Sequence, residues 1–189
     1  MKAIKPAVLM LLLYTLICGG LYPAAVTGLA QLLFPQQANG SLISDPAGRV
    51  IGSTLIGQPF SDPQYLWPRP SATAPFVNNP MASGGSNLSP AAAVYQKTID
   101  ERLGRLHAAT MAGPIAADLV QASGSGLDPH ISPLAAAFQI RRIARARHMS
   151  EEKVSAIIAA HRQDRQFGLL GAPCVNVLAV NLALDAASQ

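Results

Sequence analysis

The stretch from residue 6 to residue 44 contains no aspartate, glutamate, lysine or arginine. Its first part, residues 7–29, is almost wholly apolar, and as a helix it would extend about 34 Å at about 1.5 Å per residue. That length crosses the hydrocarbon core of a bilayer. Pro6 suits the first turn, where its missing N–H costs nothing. We therefore predict residues 1–6 as an N-terminal tail, 7–29 as a transmembrane helix and 30–48 as a juxtamembrane linker.

Orientation follows from the charges that flank this segment. Lys2, Lys5 and the terminal amine precede it, so the positive-inside rule predicts a cytoplasmic N-terminus and an extracytoplasmic domain over 49–189. A cleaved signal peptide is the alternative, with a cut near Ala30. However, the apolar stretch is longer than an h-region of about 7–15 residues, and no polar segment precedes the cut. A retained span is therefore favoured.

The second half of the predicted span carries Gly20, Ala24 and Gly28 at four-residue intervals, on one helix face. Such a face lets a second helix approach closely in lipid. The alternative is that glycine is simply common in membrane helices. Pro23 removes a backbone hydrogen bond to the carbonyl of Gly19, which predicts a kink.

For the remainder of the chain, the sequence pattern predicts an α+β domain. Residues 61–90 are rich in proline, but Trp67 and its apolar neighbours indicate that this proline-rich stretch is ordered, because disordered segments are poor in such residues. Ser-Pro pairs and acidic first turns mark helix starts. In chain order, the predicted elements are a strand and turn over 50–60, an irregular stretch over 61–90, a helix from Ser89-Pro90 to His107, a short strand over 119–122, a helix from Ser132-Pro133 to His148, a helix opened by Ser150 and ended by Gly168, and an apolar segment over 175–184 assigned as helix with strand as the alternative.

The sequence lacks the common catalytic motifs. There is no Gly-Lys-Ser/Thr phosphate loop, no Gly-x-Ser-x-Gly elbow and no Asp-Lys-Thr-Gly phosphorylation sequence. Cys18 lies in the apolar run and Cys174 far outside it, so we predict neither a disulfide nor a zinc site. The four histidines show no metal spacing, and His161 is predicted to pack in the core. The net charge of +4 comes without a nucleic-acid motif. No catalytic residue, metal or bound cofactor is predicted for this chain.

Two glycine-serine clusters and one arginine cluster remain as candidate binding features. Such glycine-rich loops either direct backbone N–H groups at an anion or form tight turns before helices. Gly124 and Gly126 are predicted to hold backbone conformations closed to other residues. Arg141, Arg142 and Arg145 are predicted to form a solvated face near a helix C-terminus, with a docking surface as the alternative. The glycine-serine candidates are Ser83, Gly84, Gly85 and Asn87 in one cluster and Ser123, Gly124, Gly126, Asp128 and His130 in the other.

Together these segments resemble the C subunit of the Kdp-type potassium-transporting ATPase over essentially the whole chain. The most specific run is Ser-Gly-Ser-Gly-Leu-Asp-Pro-His-Ile-Ser-Pro over 123–133. Trp67 and Cys174 are local departures. The other matching segments are the N-terminal span, Gly-Ser-Thr-Leu-Ile-Gly-Gln over 52–58, Arg-Pro-Ser-Ala over 69–72, Ala-Ser-Gly-Gly-Ser-Asn-Leu over 82–88, Val-Asn-Val-Leu over 175–178 and Asn-Leu-Ala-Leu-Asp over 181–185.

The resemblance implies a complex in the bacterial inner membrane. Its channel-like potassium-binding subunit and its catalytic P-type ATPase subunit would handle K⁺ and ATP, while this chain would be a non-catalytic subunit that supports assembly and turnover. In that family the glycine-serine sequence is also proposed to assist ATP binding by the catalytic subunit, but the predicted topology opposes contact with cytosolic ATP. A secreted periplasmic binding module is a third hypothesis. The tentative docking residues are the two clusters above and the face of Gly20, Ala24 and Gly28.

Overall fold

The computed structural model describes residues 3–109 and 113–187. The chain divides into two units, Met1–Ile51 and Gly52–Gln189, which are described separately. Lys2, on which the predicted orientation partly rests, lies outside the described residues.

The N-terminal unit is dominated by one continuous helix. It consists of α1 (Ile4–Leu16), a π-helical turn (Ile17–Leu21) and α2 (Tyr22–Leu33). Over its 30 residues it is long and apolar enough to cross a membrane, and it extends beyond the predicted 7–29 at both ends. The N–H of Tyr22 donates to the carbonyl of Ile17, five residues back, which is the π-helical pattern. This wider turn directly precedes Pro23, so the helix departs from regular geometry where the sequence predicts a kink.

The predicted linker over 30–48 contains regular structure. The end of α2 is followed by a short helix, α3 (Pro35–Ala38), and by the strand β1 (Leu42–Ser44). β1 pairs with β2 (Val50–Ser53), so the predicted strand over 50–60 is confirmed for its first part. Asp45 closes the intervening turn, because its carboxylate accepts from the backbone N–H and the guanidinium of Arg49 at 2.9 and 2.7 Å.

The second unit mixes helices with a small sheet, which confirms both kinds of structure predicted for it. β3 (His130–Ile131), β5 (Cys174–Asn176) and β4 (Arg162–Gln163) form an antiparallel sheet in that order, with Val175 opposite both Ile131 and Arg162. The helices are α4 (Ala93–Ala109), α5 (Pro133–Arg147), α6 (Glu151–Ala160) and α7 (Val177–Ala186). Short 3₁₀ turns lie at Pro80–Ala82 and Ala117–Leu119.

The core lies where α5, α6 and α7 meet the central strand β5. Its apolar side chains are shared by all of these elements, so no single helix is stable alone, and burial of the common apolar surface holds them together. The side chains at 2% exposure or less include Ile131, Ala135, Ile143, Val154, Val175, Val180 and Leu184.

Three helices begin at a side-chain cap. The hydroxyl of Ser132 accepts from the N–H of Ala135 at 3.1 Å, and the hydroxyl of Ser150 accepts from that of Lys153 at 3.2 Å. Both caps were predicted from the sequence and are confirmed. Asn176 caps α7 in the same way. The apolar segment over 175–184 is therefore strand up to Asn176 and helix from Val177, which largely confirms the helical assignment.

Four local predictions are wrong. The helix predicted from Ser89-Pro90 begins at Ala93, because Ser89 closes a separate turn by accepting from Ala92. α6 ends at Ala160 rather than Gly168, which lies in a later turn. Residues 119–122, predicted as a short strand, instead comprise the end of a 3₁₀ turn (Ala117–Leu119) and irregular chain. His161 is half-buried at the end of α6, where its Nδ1 lies 2.9 Å from the Ile157 carbonyl, so it is not a core residue.

Buried amide side chains hold the proline-rich stretch over 61–90 against the helices. Asn181 accepts from the N–H of Leu66 at 2.7 Å and donates to its carbonyl at 3.0 Å. Gln139 makes the same pair of bonds with Trp67, at 2.8 and 3.2 Å. Each side-chain amide thus bonds both the N–H and the carbonyl of one residue, as a neighbouring strand would, and so satisfies these backbone groups. This confirms the prediction that this part of the stretch is ordered.

The predicted solvated arginine face is wrong for Arg142. Only 6% of this residue is exposed. Its guanidinium donates to the carbonyls of Pro63 and Tyr65 at 2.6 and 3.0 Å, and it stacks 3.8 Å from the ring centre of Trp67. Burial lowers the pKa of Arg142 to about 10. Arg141 does lie at the surface, where it pairs with Glu151 at 3.3 Å.

Candidate functional site: two joined glycine-serine loops

The structure brings the two predicted glycine-serine clusters together. We call residues 83–87 loop A and residues 123–130 loop B. The carbonyl of Ser125 in loop B accepts from the N–H of Gly84 at 2.9 Å and from the hydroxyl of Ser83 at 3.0 Å. Gly85 lies so close to loop B that a Cβ there would sit 3.1 Å from the Gly124 carbonyl. Sequence reasoning identified both clusters but not their contact, since 42 residues separate Ser83 from Ser125.

Gly126 is the most constrained residue of loop B. Its φ is +69°, in the left-handed region that side-chain-bearing residues rarely adopt. A Cβ there would lie 2.5 Å from the methyl carbon of Thr73 and 2.8 Å from the Gly84 carbonyl. The prediction for Gly126 is confirmed. The same prediction for Gly124 is wrong, because a Cβ there meets nothing within 4 Å and its φ is unstrained.

A third segment, over 71–79, supports loop B. Asn78 is 9% exposed, and its side-chain amide donates to the Gly126 carbonyl at 3.1 Å. The hydroxyl of Ser71 accepts from the N–H of Asn78 at 3.0 Å, and that of Thr73 accepts from the N–H of Asn79 at 3.0 Å. These hydroxyl-to-backbone bonds fix a segment that has no regular structure of its own.

Loop B is also held at its C-terminal side. Gly57 donates its N–H to the Leu127 carbonyl at 2.8 Å, and a Cβ on Gly57 would lie 2.7 Å from the Asp128 carbonyl oxygen. Val177, at the start of α7, donates to the carbonyl of Pro129 at 3.0 Å. Sequence reasoning noted Gly57 only as part of a matching segment. Its isolated position gave no signal of a close backbone approach.

Asp128 is the charged centre of the site. It forms an ion pair with Arg69 at 3.0 Å and accepts from the N–H of His130 at 3.0 Å. Burial on its own would raise the pKa of Asp128, but the hydrogen bonds from His130 and Arg69 outweigh it and hold the pKa below its ordinary value. Asp128 and His130, both predicted site residues, therefore meet Arg69, which sequence reasoning had not selected.

Several backbone N–H groups at this site are used for hydrogen bonds within the protein. The N–H groups of Gly57, Gly84, Ser123 and Leu127 all donate to protein oxygens. An anion-binding loop requires such groups to converge on an empty position. These four are already committed to holding the loops together, so the arrangement forms a stiff surface feature. The predicted turn interpretation describes these positions better than the phosphate-binding one.

The other predicted site residues lie apart from this constellation. Asn87 is exposed and has a φ of +50°. Gly20, Ala24 and Gly28 belong to the N-terminal helix and are exposed in the isolated chain. A Cβ on Gly28 would meet nothing within 4 Å, and one on Gly20 only a side-chain atom of Leu16 at 4.0 Å. That face therefore has room for a neighbouring helix.

Within residues 3–109 and 113–187, no three His, Cys, Asp or Glu side chains group closely enough to hold a metal ion. Cys18 and Cys174 are both free thiols. Burial, followed by the charge of Asp128, raises the pKa of the Cys174 thiol, which keeps it in its unreactive protonated form.

The fold and the site together define a class of protein: a small mixed α and β unit preceded in the chain by one helix suited to a membrane, with two glycine-serine loops held together in the second unit. The sequence model of one family, described as "KdpC: K+-transporting ATPase, c chain", matches residues 4–186. The chain therefore belongs to this family.

Similar proteins that match over nearly their whole length are named as subunits of the same kind. The chain is 63% identical to the "Potassium-transporting ATPase KdpC subunit" of Geobacter sulfurreducens over 98% of both chains. It is 56% identical to the protein of that name from Methylococcus capsulatus over 96% of both chains. For the one from Burkholderia cenocepacia the identity is 49%, over 97% of this chain and 96% of the relative. The resemblance found in the sequence is thus confirmed.

Proposed function

We propose that this chain is a non-catalytic subunit of an ATP-driven potassium uptake complex, anchored in the bacterial inner membrane by its N-terminal helix. The observation that carries the proposal is the family match over residues 4–186, which includes both the helix and the second unit. The relatives are named as subunits of a potassium-transporting ATPase. The proposed partners are the potassium-binding subunit and the catalytic ATPase subunit of the same complex.

We assign the docking role outside the membrane to loops A and B. Hydrogen bonds between Gly84 and Ser125 and the close packing at Gly126 fix the shape of this surface before any partner binds. A preformed surface loses little conformational entropy on binding, which favours stable docking. The use of the Gly84, Ser123 and Leu127 N–H groups for hydrogen bonds within the protein supports docking over phosphate binding.

We assign the docking role inside the membrane to the face of Gly20, Ala24 and Gly28. Small residues let helix backbones approach closely in lipid, where van der Waals packing drives association. Lys5 lies in the first turn of the helix, and the chain has no further lysine or arginine before Arg49. This charge bias supports a cytoplasmic N-terminus and an extracytoplasmic second unit.

The test of the proposal is recovery of the complex with affinity-tagged variants of this chain in mild detergent. Gly20→Leu and Gly28→Leu are expected to lower the yield of both partner subunits severalfold, because leucine forces the helices apart. Gly19→Leu is the matched control: it adds the same side chain to the same helix one residue away, where space is also open.

Equal recovery with all three leucine variants would contradict the assigned helix face. Failure of the unmodified chain to recover any partner would contradict the proposed function itself. Saturable ATP binding by the purified chain, lost on Gly126→Val, would instead favour the alternative in which loops A and B assist nucleotide binding.

A further inference from the structure

A cavity of about 330 Å³ opens between the proline-rich stretch and α4, beside the 71–79 segment that supports loop B. Its walls are mostly apolar and include Phe60, Trp67, Leu106 and Leu119. Cavities of roughly 300–1,000 Å³ with apolar walls and a few polar groups are typical binding sites for small molecules. Nothing in the proposed docking function uses this cavity.

Three arginines line it, and no aspartate or glutamate does among the described residues. Asp128 balances the charge of Arg69 at 3.0 Å. Arg102 donates to a neutral group, the carbonyl of Val120, at 2.6 Å. Arg105, one turn further along α4, has no hydrogen bond or ion pair within residues 3–109 and 113–187. Two positive charges at the cavity are thus without an acidic partner in the described chain.

Two further observations indicate that the positive charge is costly to hold there. Burial, followed by the charge of Arg105, lowers the pKa of Arg102, as expected for cations that are crowded together and partly removed from water. The Nε of Arg69 is buried and has no hydrogen-bond partner in the described structure. A buried donor without an acceptor carries a desolvation penalty, which adds to the cost of holding positive charge at this wall of the cavity.

We propose that this cavity binds a small organic anion, in which Arg102 and Arg105 hold a phosphate or carboxylate group and Phe60, Trp67 and Leu106 cover an apolar body. A guanidinium presents several donors in a fixed fork that matches phosphate and carboxylate oxygens. The apolar walls exclude water around that contact and strengthen it. The alternative is that the arginine side chains only cover apolar surface and keep their charged ends in water. In that case the cavity would show no preference for an anion.

The probe is phenyl phosphate, titrated into the purified full-length chain. Trp67 is the only tryptophan in the sequence and lines the cavity, so its fluorescence reports occupancy directly. We expect a saturable change with phenyl phosphate. Three control compounds follow: inorganic phosphate lacks the apolar phenyl ring, phenol lacks the negative charge, and phenyltrimethylammonium carries a positive charge instead. Each is expected to bind at least tenfold more weakly, and an equal response to phenol or to the cation would overturn the proposal.

Variants separate the cavity from unspecific charge effects. Arg105 is exposed, so the Arg105→Gln variant should fold normally. Both Arg105→Gln and Arg102→Gln are expected to weaken phenyl phosphate binding at least tenfold. Lys97→Gln removes one positive charge from the exposed surface of the same helix and is expected to bind like the unmodified chain. Unchanged affinity in Arg105→Gln would refute the assignment, whatever the stability of the Arg102 variant.

The source of the ligand is distinguished by alkyl phosphates of increasing length, measured with the chain held in amphipol. An affinity that stops rising once the tail fills the cavity indicates a soluble metabolite, whereas a continuing rise indicates a lipid headgroup with its chain. Equilibrium dialysis of radiolabelled phenyl phosphate against the assembled complex completes the test. Loss of the Arg105-dependent binding on assembly would assign the cavity to an acidic partner side chain and overturn the small-molecule proposal.

Discussion

Gly126→Ala tests whether the crowding in loop B is energetically important. The substitution adds one methyl group at a residue whose φ is +69°. The new carbon would lie 2.5 Å from the methyl of Thr73 and 2.8 Å from the carbonyl oxygen of Gly84. The second contact is with backbone, so it cannot be relieved by a side-chain rotation and loop A must shift.

The expected cost has two parts. Placing a non-glycine residue in the left-handed region costs about 1–2 kcal/mol. Forcing a methyl group into an occupied site costs about 1–3 kcal/mol. The free energy of unfolding should therefore fall by about 2–5 kcal/mol. With a urea dependence of about 2 kcal/mol per molar, the unfolding midpoint should fall by about 1–2.5 M.

The assay is urea unfolding of the full-length chain in detergent, followed by the fluorescence of Trp67. Gly124→Ala is the matched control in the same loop, since a Cβ there meets nothing within 4 Å and the backbone is unstrained. It should be neutral or stabilise by up to about 1 kcal/mol, because alanine restricts the unfolded chain.

Equal midpoints for the two alanine variants would refute the reasoning. Potassium-stimulated ATP hydrolysis by the complex supplies the functional comparison, and Gly126→Val should lower it. If Gly126→Val left hydrolysis unchanged while the loop was demonstrably distorted, loops A and B would have no docking role.

Two single contacts and the charge bias near the N-terminal helix give three further predictions. Ser132→Ala removes the cap of α5 and should lower the free energy of unfolding by about 1 kcal/mol; a change under about 0.3 kcal/mol in the same urea assay would show that the cap is replaceable. The pKa of Asp128 is lower folded than unfolded, so its stabilisation is present above the ordinary value of 3.8 and disappears as the pH falls through the folded pKa. The gap in unfolding midpoint between the unmodified chain and Asp128→Asn should therefore close below pH 3.8; a constant gap would contradict the ion-pair account. A reporter active only outside the cytoplasm, fused after Gln189, should be active, and a silent fusion would reverse the proposed topology.

Several elements were predictable because their signals are local. The N-terminal helix follows from continuous apolarity, and the starts of α5 and α6 follow from Ser132 and Ser150 beside good helix formers. The late start of α4 was not predictable in this way. Ser89-Pro90 has the same cap signature, but Ser89 closes a turn instead, and the signature alone does not distinguish the two uses.

Buried polar groups were the least predictable feature. Arg142 reads from the sequence as one of several cations near a helix C-terminus, yet it is buried against Trp67 and donates to carbonyls of the 61–90 stretch. Only the position of that stretch in space decides which arginine is covered. The same holds for Gln139 and Asn181, whose partners lie 72 and 115 residues away.

The sequence by itself determined the family, the membrane-suited helix and the identity of the two glycine-serine clusters. These depend on order along the chain, on apolar length and on short-range backbone preferences. The tertiary structure alone decided that the clusters meet, that Gly126 is crowded while Gly124 is free, and that Asp128 faces Arg69. Those contacts join residues many positions apart, and their energies depend on distances that close only when the core of α5, α6, α7 and β5 has packed.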